Sequence, residues 1–440
     1  MRAMPVEPVP ASPSVRPPSP GGLVLAPFRA LRYDGSRADL SAVTSPPYDV
    51  LDAAGVEALE QASDVNVVRL ILPRDEHQQG DRHQRAARTL AEWRAAGVLR
   101  LDPEPALYVY EQASATHAQR GLLGALALAS PEDGIVLPHE STMAGTVSDR
   151  LALYTAVEAD LEPIFLVYAG GGAASETVAR ASDAEPLLDV ELPDGLRHRL
   201  WAVTDPERLA AVAADLHDRT ATIADGHHRY ETYLQRRAAA HASGRGPGPW
   251  DRGLVFLVDT TAFGPEVHPI HRVLPGRAAE DLARLATTGA TVHDLDGQSL
   301  EDAQEALRQA GATGAAFLLV SGDGGTLRLV TTPDASRLAD TLPADRSEAW
   351  RRLDVTVLHR YLVEVLWQSV DDEQTVRYAH DVDEAVALAA ETRGTAVLLN
   401  PTPVEAVAAV AAAGERMPRK STLFMPKPRT GLVIRALADG

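Results

Sequence analysis

The 440-residue sequence contains no cysteine. This excludes disulfides, thiolate zinc sites and a cysteine nucleophile, and it is typical of a reducing compartment such as the cytoplasm. No apolar run reaches the roughly 18 residues that a membrane-spanning helix needs. The net charge of −19 is opposite to the basic excess of a sequence-independent nucleic-acid binder. These absences predict a cytoplasmic protein that binds neither a membrane nor nucleic acid.

Lysine is also scarce, since only Lys420 and Lys427 occur among 42 basic residues. The ammonium of lysine is a compact point charge, whereas the guanidinium of arginine is planar and extended. A retained lysine therefore indicates a role that arginine does not fill. Both lie in "RMPRKSTLFMPKPRTG" (416–431), which has no acidic residue. We predict that Lys420, Ser421 and Lys427 bind a phosphate or another anion. A basic stripe that balances acidic neighbours is the alternative.

The alternation of strand-like and helix-like stretches predicts a mixed α/β (α+β) fold. The prediction divides the chain into a proline-rich tail, a core, a subdomain and a closing segment. Their ranges are 1–22 for the disordered tail, 23–276 for the N-terminal and catalytic core, 277–345 for an inserted or appended α/β subdomain, and 346–440 for the α/β segment that completes the fold.

Several local elements follow from periodicity and from capping residues. We predict paired strands at 106–112 and 120–129, and a further strand at 66–72. Helical spacing of apolar residues predicts a helix over about 82–96. Ser148 is the expected N-cap of the following helix.

The segment "TIADGHHRYETYLQRRAAA" (222–240) concentrates proton-active and phosphate-binding side chains on one turn. The glycine lets a ligand approach the backbone, and the free N–H groups of a starting helix favour an anion. An arginine can fork onto phosphate oxygens, and a histidine can donate to phosphate or shuttle a proton. The alternative is that Asp225 is an ordinary N-cap followed by exposed histidines. The residues in question are Asp225, Gly226, His227, His228 and Arg229.

"VLPHEST" (136–142) places His139 and Glu140 where an apolar strand ends. A carboxylate there can act as general base on a hydroxyl or hold Mg²⁺, and a solvated loop charge is the alternative. "TSPPYDV" (44–50) is rigid because of its two prolines, and it would present Tyr48 and Asp49 to a substrate. A structural corner is the alternative for this loop.

"VHPIHR" (267–272) supplies His271 and Arg272, which we count with His139 among the substrate-binding candidates. On a single strand His268 and Arg272 share a face and His271 points the other way, which disfavours a two-histidine metal site. A structural role is expected for His268. His227 and Glu231 have helical spacing but not the His-Glu-x-x-His arrangement of zinc enzymes. We therefore assign no metal ligand from the protein, with Glu140 as the one candidate for Mg²⁺.

Several stretches together resemble the bacterial family known as domain of unknown function 1015. They occur in the expected order over 27–435 and read "PFRALRYD", "SPPYDV", "NVVRLILP", "PALYVYEQ", "VLPHEST", "IADGHHRYET", "HRVL", "DVTVLH" and "MPRKSTLFMPK". Within this set "ADGHHRYET" resembles the Asp-Gly-His-x-Arg turn of the ParB/sulfiredoxin-like superfamily, which includes free-serine kinases. The resemblance implies a ParB/sulfiredoxin-like nucleotide-binding core with additional α/β subdomains.

The same resemblance implies roles for the site residues. Asp225, His227 and His228 would be catalytic, Gly226 and Arg229 would bind phosphate, and a nearby carboxylate would act as base on a serine hydroxyl. Glu140 is the candidate for that base. The implied cofactor is Mg²⁺ with ATP or ADP, because phosphoryl transfer needs mainly positioning and charge neutralisation.

The implied function is a nucleotide-dependent phosphotransferase that acts on the hydroxyl of free serine or a similar small amino acid, in either direction. Its partners would be a nucleotide and that amino acid, and a homodimer is open. The first alternative is a non-catalytic nucleotide-binding switch or scaffold of ParB type. The second is a phosphoserine phosphatase or a metal-dependent hydrolase that uses His227, His228 and Glu140, although their spacing matches no metal site.

Overall fold

The computed structural model describes residues 21–74, 81–331, 335–370, 372 and 374–439. All but the last two residues of the predicted tail, 1–22, lie outside the described residues. The strands are β1 (Leu25–Ala26), β2 (Leu31–Tyr33), β3 (Leu99–Leu101), β4 (Leu107–Ala113), β5 (Ala118–Ala127), β6 (Val136–Leu137), β7 (Ala159–Asp160), β8 (Ile164–Tyr168), β9 (Leu188–Glu191), β10 (Arg197–Val203), β11 (Ala221–Asp225), β12 (Arg252–Asp259), β13 (Glu266–His268), β14 (His271–Leu274), β15 (Thr291–Asp294), β16 (Ala316–Ser321), β17 (Leu327–Thr331), β18 (Arg377–Ala379), β19 (Thr395–Leu399), β20 (Leu423–Met425) and β21 (Arg435–Ala436).

The helices alternate with these strands, so the fold is mixed α/β as predicted. They are α1 (Leu40–Val43), α2 (Ala53–Ala62), α3 (Val68–Ile71), α4 (Arg82–Ala95), α5 (Ala144–Val157), α6 (Gly172–Arg180), α7 (Pro206–Leu216), α8 (His227–Ala242), α9 (Ala279–Ala286), α10 (Leu300–Gly311), α11 (Ala335–Thr341), α12 (Glu348–Arg351), α13 (Asp354–Thr356), α14 (Val382–Thr392) and α15 (Val404–Ala412). A π-helix over Val357–Leu366 continues α13. In the part of the chain that the structure describes, no helix is both long and apolar enough to cross a membrane.

A large sheet occupies the first half of the chain. Its strand order is β6-β11-β8-β12-β5-β4-β10-β9, and β1 pairs with β5. The predicted hairpin at 106–112 and 120–129 is confirmed, since β4 and β5 pair antiparallel. At one edge β11 runs parallel to β6 and antiparallel to β8. The carboxyl ends of β6 and β11 therefore lie at the same edge of the sheet, and the segments after them carry the predicted site.

Both faces of the large sheet are buried. In β12 the side chains alternate between two clusters, so Phe256 packs in the cluster that also contains Phe317 of β16, while Val255 and Leu257 pack in the other. Phe256 and Phe317 are both fully buried. A strand that is covered on both faces reads as a continuous apolar run, as "GLVFLVD" does. The core therefore continues from the large sheet into the second half of the chain.

A second sheet has the order β15-β17-β16-β19-β14-β18. It combines three strands from the predicted subdomain, 277–345, with β14 before it and β18 and β19 after it. Because β16 pairs with β19 over five positions, these segments share one hydrogen-bonded unit. We therefore propose that the second unit begins near Ile270 and includes 277–345 together with the strands that follow.

Three local predictions are wrong. Residues 66–72 are not a strand: α3 forms there, and the Val68 N–H donates to Asn66 Oδ1 at 2.9 Å. Apart from Arg69, the residues of α3 are apolar and buried, and a buried helix of this length cannot be told from a strand by periodicity. Ser148 lies inside α5, which starts one turn earlier at Ala144. The predicted strand over 267–274 is broken at Pro269 into β13 and β14.

His268 lies on β13, away from Arg272, and a structural role for it stays a prediction. Its side chain is 46% exposed, and its Nε2 lies 3.7 Å from a carboxylate oxygen of Glu266 on the same strand. The break in the strand removes the shared face on which His268 and Arg272 were expected to lie. The helix predicted over 82–96 is confirmed as α4.

Candidate functional site

The turn between β11 and α8 has the predicted form. β11 ends at Asp225, α8 begins at His227, and Gly226 between them has φ +98°. L-residues with a side chain rarely adopt this left-handed conformation. A Cβ on Gly226 would also lie 3.1 Å from Nε and Nη2 of Arg229. The turn therefore requires glycine both for its backbone and for the arginine that passes beside it.

Asp225 is held between two cations. Its Oδ2 lies 2.5 Å from Arg229 Nη2, and its Oδ1 lies 2.6 Å from Lys427 Nζ, which is also 3.2 Å from Asp49 Oδ2. Burial acts to raise the pKa of Asp225, but Lys427 and Arg229 outweigh it and hold that pKa at about 2. The alternative of an ordinary N-cap is wrong, because Gly226 is the N-cap of α8 and no side chain caps it.

Arg229 lies beneath this turn and is 1% exposed. Besides its pair with Asp225, its Nη1 donates to the Pro163 carbonyl at 2.7 Å. A contact with a phosphate would require the guanidinium to leave these partners. The placement therefore disfavours the predicted phosphate contact and favours a supporting role under Asp225.

The two histidines of the turn have defined tautomers. The His139 N–H donates to His227 Nε2 at 3.3 Å, and the Met143 N–H donates to His228 Nε2 at 3.0 Å. Since each Nε2 accepts a hydrogen bond, the proton of each neutral ring is on Nδ1. Burial lowers the pKa of both side chains, that of His227 strongly. His227 Nδ1 lies 4.0 Å from Glu140 Oε2, so a neutral N–H faces that carboxylate.

The Glu140 side chain is partly exposed to solvent, and its pKa is shifted. Its side chain is 34% exposed, so a ligand reaches it from one side. Burial of the rest and the charge of Asp225 raise the pKa of Glu140 to about 7, although Lys420 and Lys427 oppose this. Asp225, Lys420 and Lys427 therefore lie within electrostatic range of Glu140. A carboxylate with such a pKa exchanges its proton near neutral pH, as a general base does.

A cavity of about 320 Å³ opens beside Glu140. The lining includes Glu140 and Ser141 from the segment after β6, and His227 and Glu231 from α8. Arg416 closes another side and donates from Nη1 to the Pro138 carbonyl at 2.8 Å. The volume lies at the lower end of the range for small-molecule sites. Arg416 begins the basic segment that the sequence predicts to bind an anion, although the residues singled out there are Lys420, Ser421 and Lys427.

The other members of the basic segment differ in exposure. Lys420 is exposed and has φ +54°, whereas Ser421 is 2% exposed and its hydroxyl donates to the Pro418 carbonyl. Strand β20, which follows, pairs with β13. The structure therefore presents Lys420 to solvent near Glu140 and turns the Ser421 hydroxyl into the loop, which disfavours the predicted anion contact of Ser421.

The proline-rich loop reaches the site through Asp49, which binds Lys427. Tyr48 is anchored instead, since its N–H donates to Glu162 Oε1 at 3.0 Å and its ring lies 4.6 Å from the Arg150 guanidinium. Burial raises the pKa of Tyr48 to about 12. The contacts of Tyr48 therefore hold the loop in place, and the loop in turn places the Asp49 carboxylate at the site.

His139 lies under His227 and is fully buried. The two rings meet edge to face at 4.6 Å, and His139 Nε2 lies 3.0 Å from Thr422 Oγ1. Its carbonyl accepts from the Met417 N–H at 2.8 Å. Burial lowers the pKa of His139 to about 4. These contacts favour a supporting role over the predicted contact with substrate.

His271 and Arg272 lie on β14 of the second sheet. His271 is buried, its Nδ1 accepts from the Leu399 N–H at 3.3 Å, and burial lowers its pKa to about 4. Arg272 is 0% exposed. Its Nε donates to His359 Nε2 at 3.1 Å and its Nη2 donates to the Lys420 carbonyl at 2.9 Å. The structure thus does not bring His271 to the cavity, and it places Arg272 behind the loop that carries Lys420.

The described residues contain no group of three or more histidine, aspartate or glutamate side chains arranged to hold a metal ion. Asp225 has both carboxylate oxygens paired with cations. Glu140 has no such pair among the described residues.

The fold is mixed α/β, and its candidate site is a cavity lined by Glu140, with Lys420 and Lys427 within electrostatic range of that carboxylate. The chain belongs to the family described as protein of unknown function (DUF1015), whose model matches residues 25–356. No curated protein matches the sequence.

Solved structures with some similarity include a point mutant of a free serine kinase in complex with ADP, at 14% identity and TM-score 0.32, covering 66% of this chain and 84% of that one. A conserved hypothetical protein from Pyrococcus furiosus has 14% identity and TM-score 0.33, covering 69% and 94%. SbnI with a C-terminal truncation, from Staphylococcus aureus, has 10% identity and TM-score 0.33, covering 71% and 87%. These TM-scores are too low to transfer a fold or a function, so the ParB-like core stays a prediction.

Proposed function

We propose that the protein is a nucleotide-dependent phosphotransferase that acts on the hydroxyl of free serine or a similar small amino acid. The observation that carries the proposal is Glu140, a carboxylate with a pKa of about 7 that opens into a cavity beside lysines. Such a group takes up a hydroxyl proton near neutral pH, where an ordinary glutamate is too weak a base. His227 Nδ1 lies 4.0 Å from the Glu140 carboxylate, which is too far for a hydrogen bond but close enough for electrostatic attraction.

The surroundings suit the charge of a phosphoryl group. Two long helices, α5 and α8, begin beside the cavity, and within the described residues neither has a side-chain cap. Uncapped N–H groups and the helix dipole favour an anion at such ends. Lys420 adds an exposed ammonium near Glu140. Phosphoryl transfer depends mainly on positioning and on neutralising charge, which this set supplies.

In the proposed step the substrate hydroxyl oxygen attacks the terminal phosphorus of ATP or ADP. The bond from that phosphorus to the bridging nucleotide oxygen breaks, and the hydroxyl proton passes to Glu140. The products are a phosphomonoester and a nucleotide that is one phosphate shorter. The reverse reaction, from the phosphoamino acid, uses the same groups with Glu140 as acid.

Magnesium fits this site in a limited way. The ion prefers oxygen ligands and is held in many sites by one or two carboxylates together with substrate phosphates. Glu140 offers one accessible carboxylate, while both oxygens of Asp225 are paired with cations. When bound, Mg²⁺ would neutralise phosphate charge. A cytoplasmic location and a homodimer remain predictions.

Phosphorus NMR of the purified protein with Mg²⁺, ATP or ADP and a pool of hydroxyl amino acids tests the proposal. A new phosphomonoester signal that Glu140→Gln cannot produce would support it, with Glu301→Gln as a control for an exposed glutamate far along the chain. Nucleotide binding without a new signal would favour the nucleotide-binding switch instead. Hydrolysis of phosphoserine that requires a transition metal would favour the metal-dependent hydrolase.

A further inference from the structure

Arg416 is a partly buried cation without an acidic partner. Its Nη1 donates to the carbonyls of Pro138 and Glu415, at 2.8 and 3.4 Å. In the part of the chain that the structure describes, no carboxylate forms an ion pair with it. Burial alone lowers the pKa of Arg416, with no compensating acid. Desolvated charges normally have partners, so an unpaired guanidinium at a cavity indicates an anionic ligand group.

The acidic side of the same cavity is also unpaired. Glu231 lies one helical turn after His227 on α8, so both side chains project from the same face. Its Oε1 accepts from Gln235 Nε2 at 3.0 Å. Among the described residues Glu231 makes no ion pair with an arginine or lysine. Among the described residues, the cavity lining therefore has one cation, Arg416, and two carboxylates, Glu140 and Glu231, that form no ion pair with an arginine, lysine, aspartate or glutamate.

This charge arrangement matches a small zwitterion that also carries a hydroxyl. We propose that Arg416 binds the α-carboxylate of the substrate and Glu231 its α-ammonium group, so that the hydroxyl is directed to Glu140. The proposal rests on the proposed function, and it names the residues that select an amino acid over other alcohols. A planar guanidinium can hold a carboxylate through two parallel hydrogen bonds, which makes Arg416 the specificity-determining residue.

Calorimetric titration of the wild-type protein tests the proposal without any variant. The probes are L-serine; L-serinamide and ethanolamine, which lack the carboxylate; and glycerate, which has a hydroxyl in place of the ammonium group. L-Serine should bind at least about tenfold more tightly than L-serinamide or glycerate, because each lacks one charge-assisted contact. Equal affinity for the four probes, or binding of none of them, would overturn the proposal.

Two variants sharpen the test. Arg416→Gln should weaken L-serine and glycerate by about tenfold or more and leave L-serinamide unchanged, whereas Glu231→Gln should weaken L-serine and L-serinamide and leave glycerate unchanged. Arg416→Lys should restore part of the affinity. Arg284→Gln, which removes a 70% exposed arginine, is the control and should bind like the wild type.

The outcomes separate this proposal from the proposed function. If L-serine binds with the expected charge preferences but no phosphomonoester forms from any nucleotide, the cavity assignment stands and the phosphotransferase is wrong. If phosphoserine forms and Arg416→Gln leaves the affinity for L-serine unchanged, only the assignment is overturned. A loss of ADP affinity in Arg416→Gln with unchanged L-serine binding would overturn it as well, since Arg416 would then bind phosphate.

Discussion

Two charged clusters of the large-sheet half contrast with each other. Around Asp160, which is 0% exposed, Oδ1 lies 2.7 Å from Arg236 Nη2 and Oδ2 lies 2.8 Å from Arg435 Nη1. Both arginines are buried with it. Around the cavity, Glu140 and Arg416 are partly accessible and neither has an ion-pair partner among the described residues. The first cluster has its charges matched within the chain, and the second does not.

This contrast indicates a different role for each cluster. A buried charge is tolerated when an opposite charge and hydrogen bonds compensate its lost hydration, so the Asp160 cluster serves the fold. The contact between Asp160 and Arg435 links β7 to the C-terminal strand β21, and these two strands also pair with each other. The charges at the cavity keep part of their hydration and form no ion pair with an oppositely charged arginine or carboxylate within the described ranges, which is compatible with binding of a charged ligand. Variants in the two clusters should therefore affect different properties.

Glu140→Gln should give the largest effect, and it should be on turnover. Removal of a general base costs about 10²–10⁴-fold in rate. The free energy of unfolding should hardly fall, because the substitution removes a charge that burial already disfavours. Turnover by phosphorus NMR and unfolding in urea measure the two effects side by side. Full activity in this variant would contradict the assignment of the base.

Asp160→Asn should show the opposite pattern. Loss of the carboxylate leaves Arg236 and Arg435 buried without a counter-charge, which costs about 3–5 kcal/mol of unfolding free energy when one partner of a buried pair is removed. Ligand affinity of the folded protein should remain unchanged. Urea unfolding measures the loss, and a change below about 1 kcal/mol, the level of a surface pair, would contradict this account.

Gly226→Ala should have an intermediate effect, on turnover as well as on the free energy of unfolding. The left-handed backbone costs about 1–2 kcal/mol for a residue with a Cβ, and the contact with Arg229 adds to it. Gly134→Ala is a matched control, because Gly134 has φ +69° and open space around its Cβ position. The control should lose stability by the backbone cost alone. Equal losses of stability in both variants would show that Arg229 does not restrict the turn.

The last expected effect concerns the pH dependence of stability. The pKa of Glu140 is about 7 in the folded protein and has an ordinary value of 4.5, so between these values the folded state binds more protons than the unfolded state. Stability from this group therefore falls as pH rises through this range. Glu140→Gln should gain stability relative to the wild type over the same range. A constant difference in thermal unfolding from acidic to neutral pH would contradict the shift.

The sequence allows some of these features to be predicted because they are local. The change from an apolar strand to a helical period, with a glycine between them, locates the turn at Gly226. The structure also explains the retained Lys427, because its ammonium contacts the carboxylates of both Asp49 and Asp225. A compact ammonium can lie between two carboxylates more readily than a planar guanidinium can.

Other features depend on tertiary contacts that no local pattern records. The sequence predicts that Arg229 binds phosphate, yet its guanidinium is buried and donates to the carbonyl of Pro163, which lies just before β8 and 66 positions away in sequence. Arg416 and Glu231 line one cavity only because the C-terminal basic segment folds back onto the start of α8. The segment over 66–72 forms helix α3 and not the predicted strand, and its burial hides the helical periodicity.

The measurement that tests the central claim most directly is a ¹³C NMR titration of the glutamate side-chain carboxyl groups, with Glu140→Gln to identify the signal of Glu140. The account predicts that this signal titrates near 7, well above the ordinary value of 4.5. A signal that titrates near 4.5 would contradict it, because Glu140 would then be an ordinary surface carboxylate and not the base of the cavity.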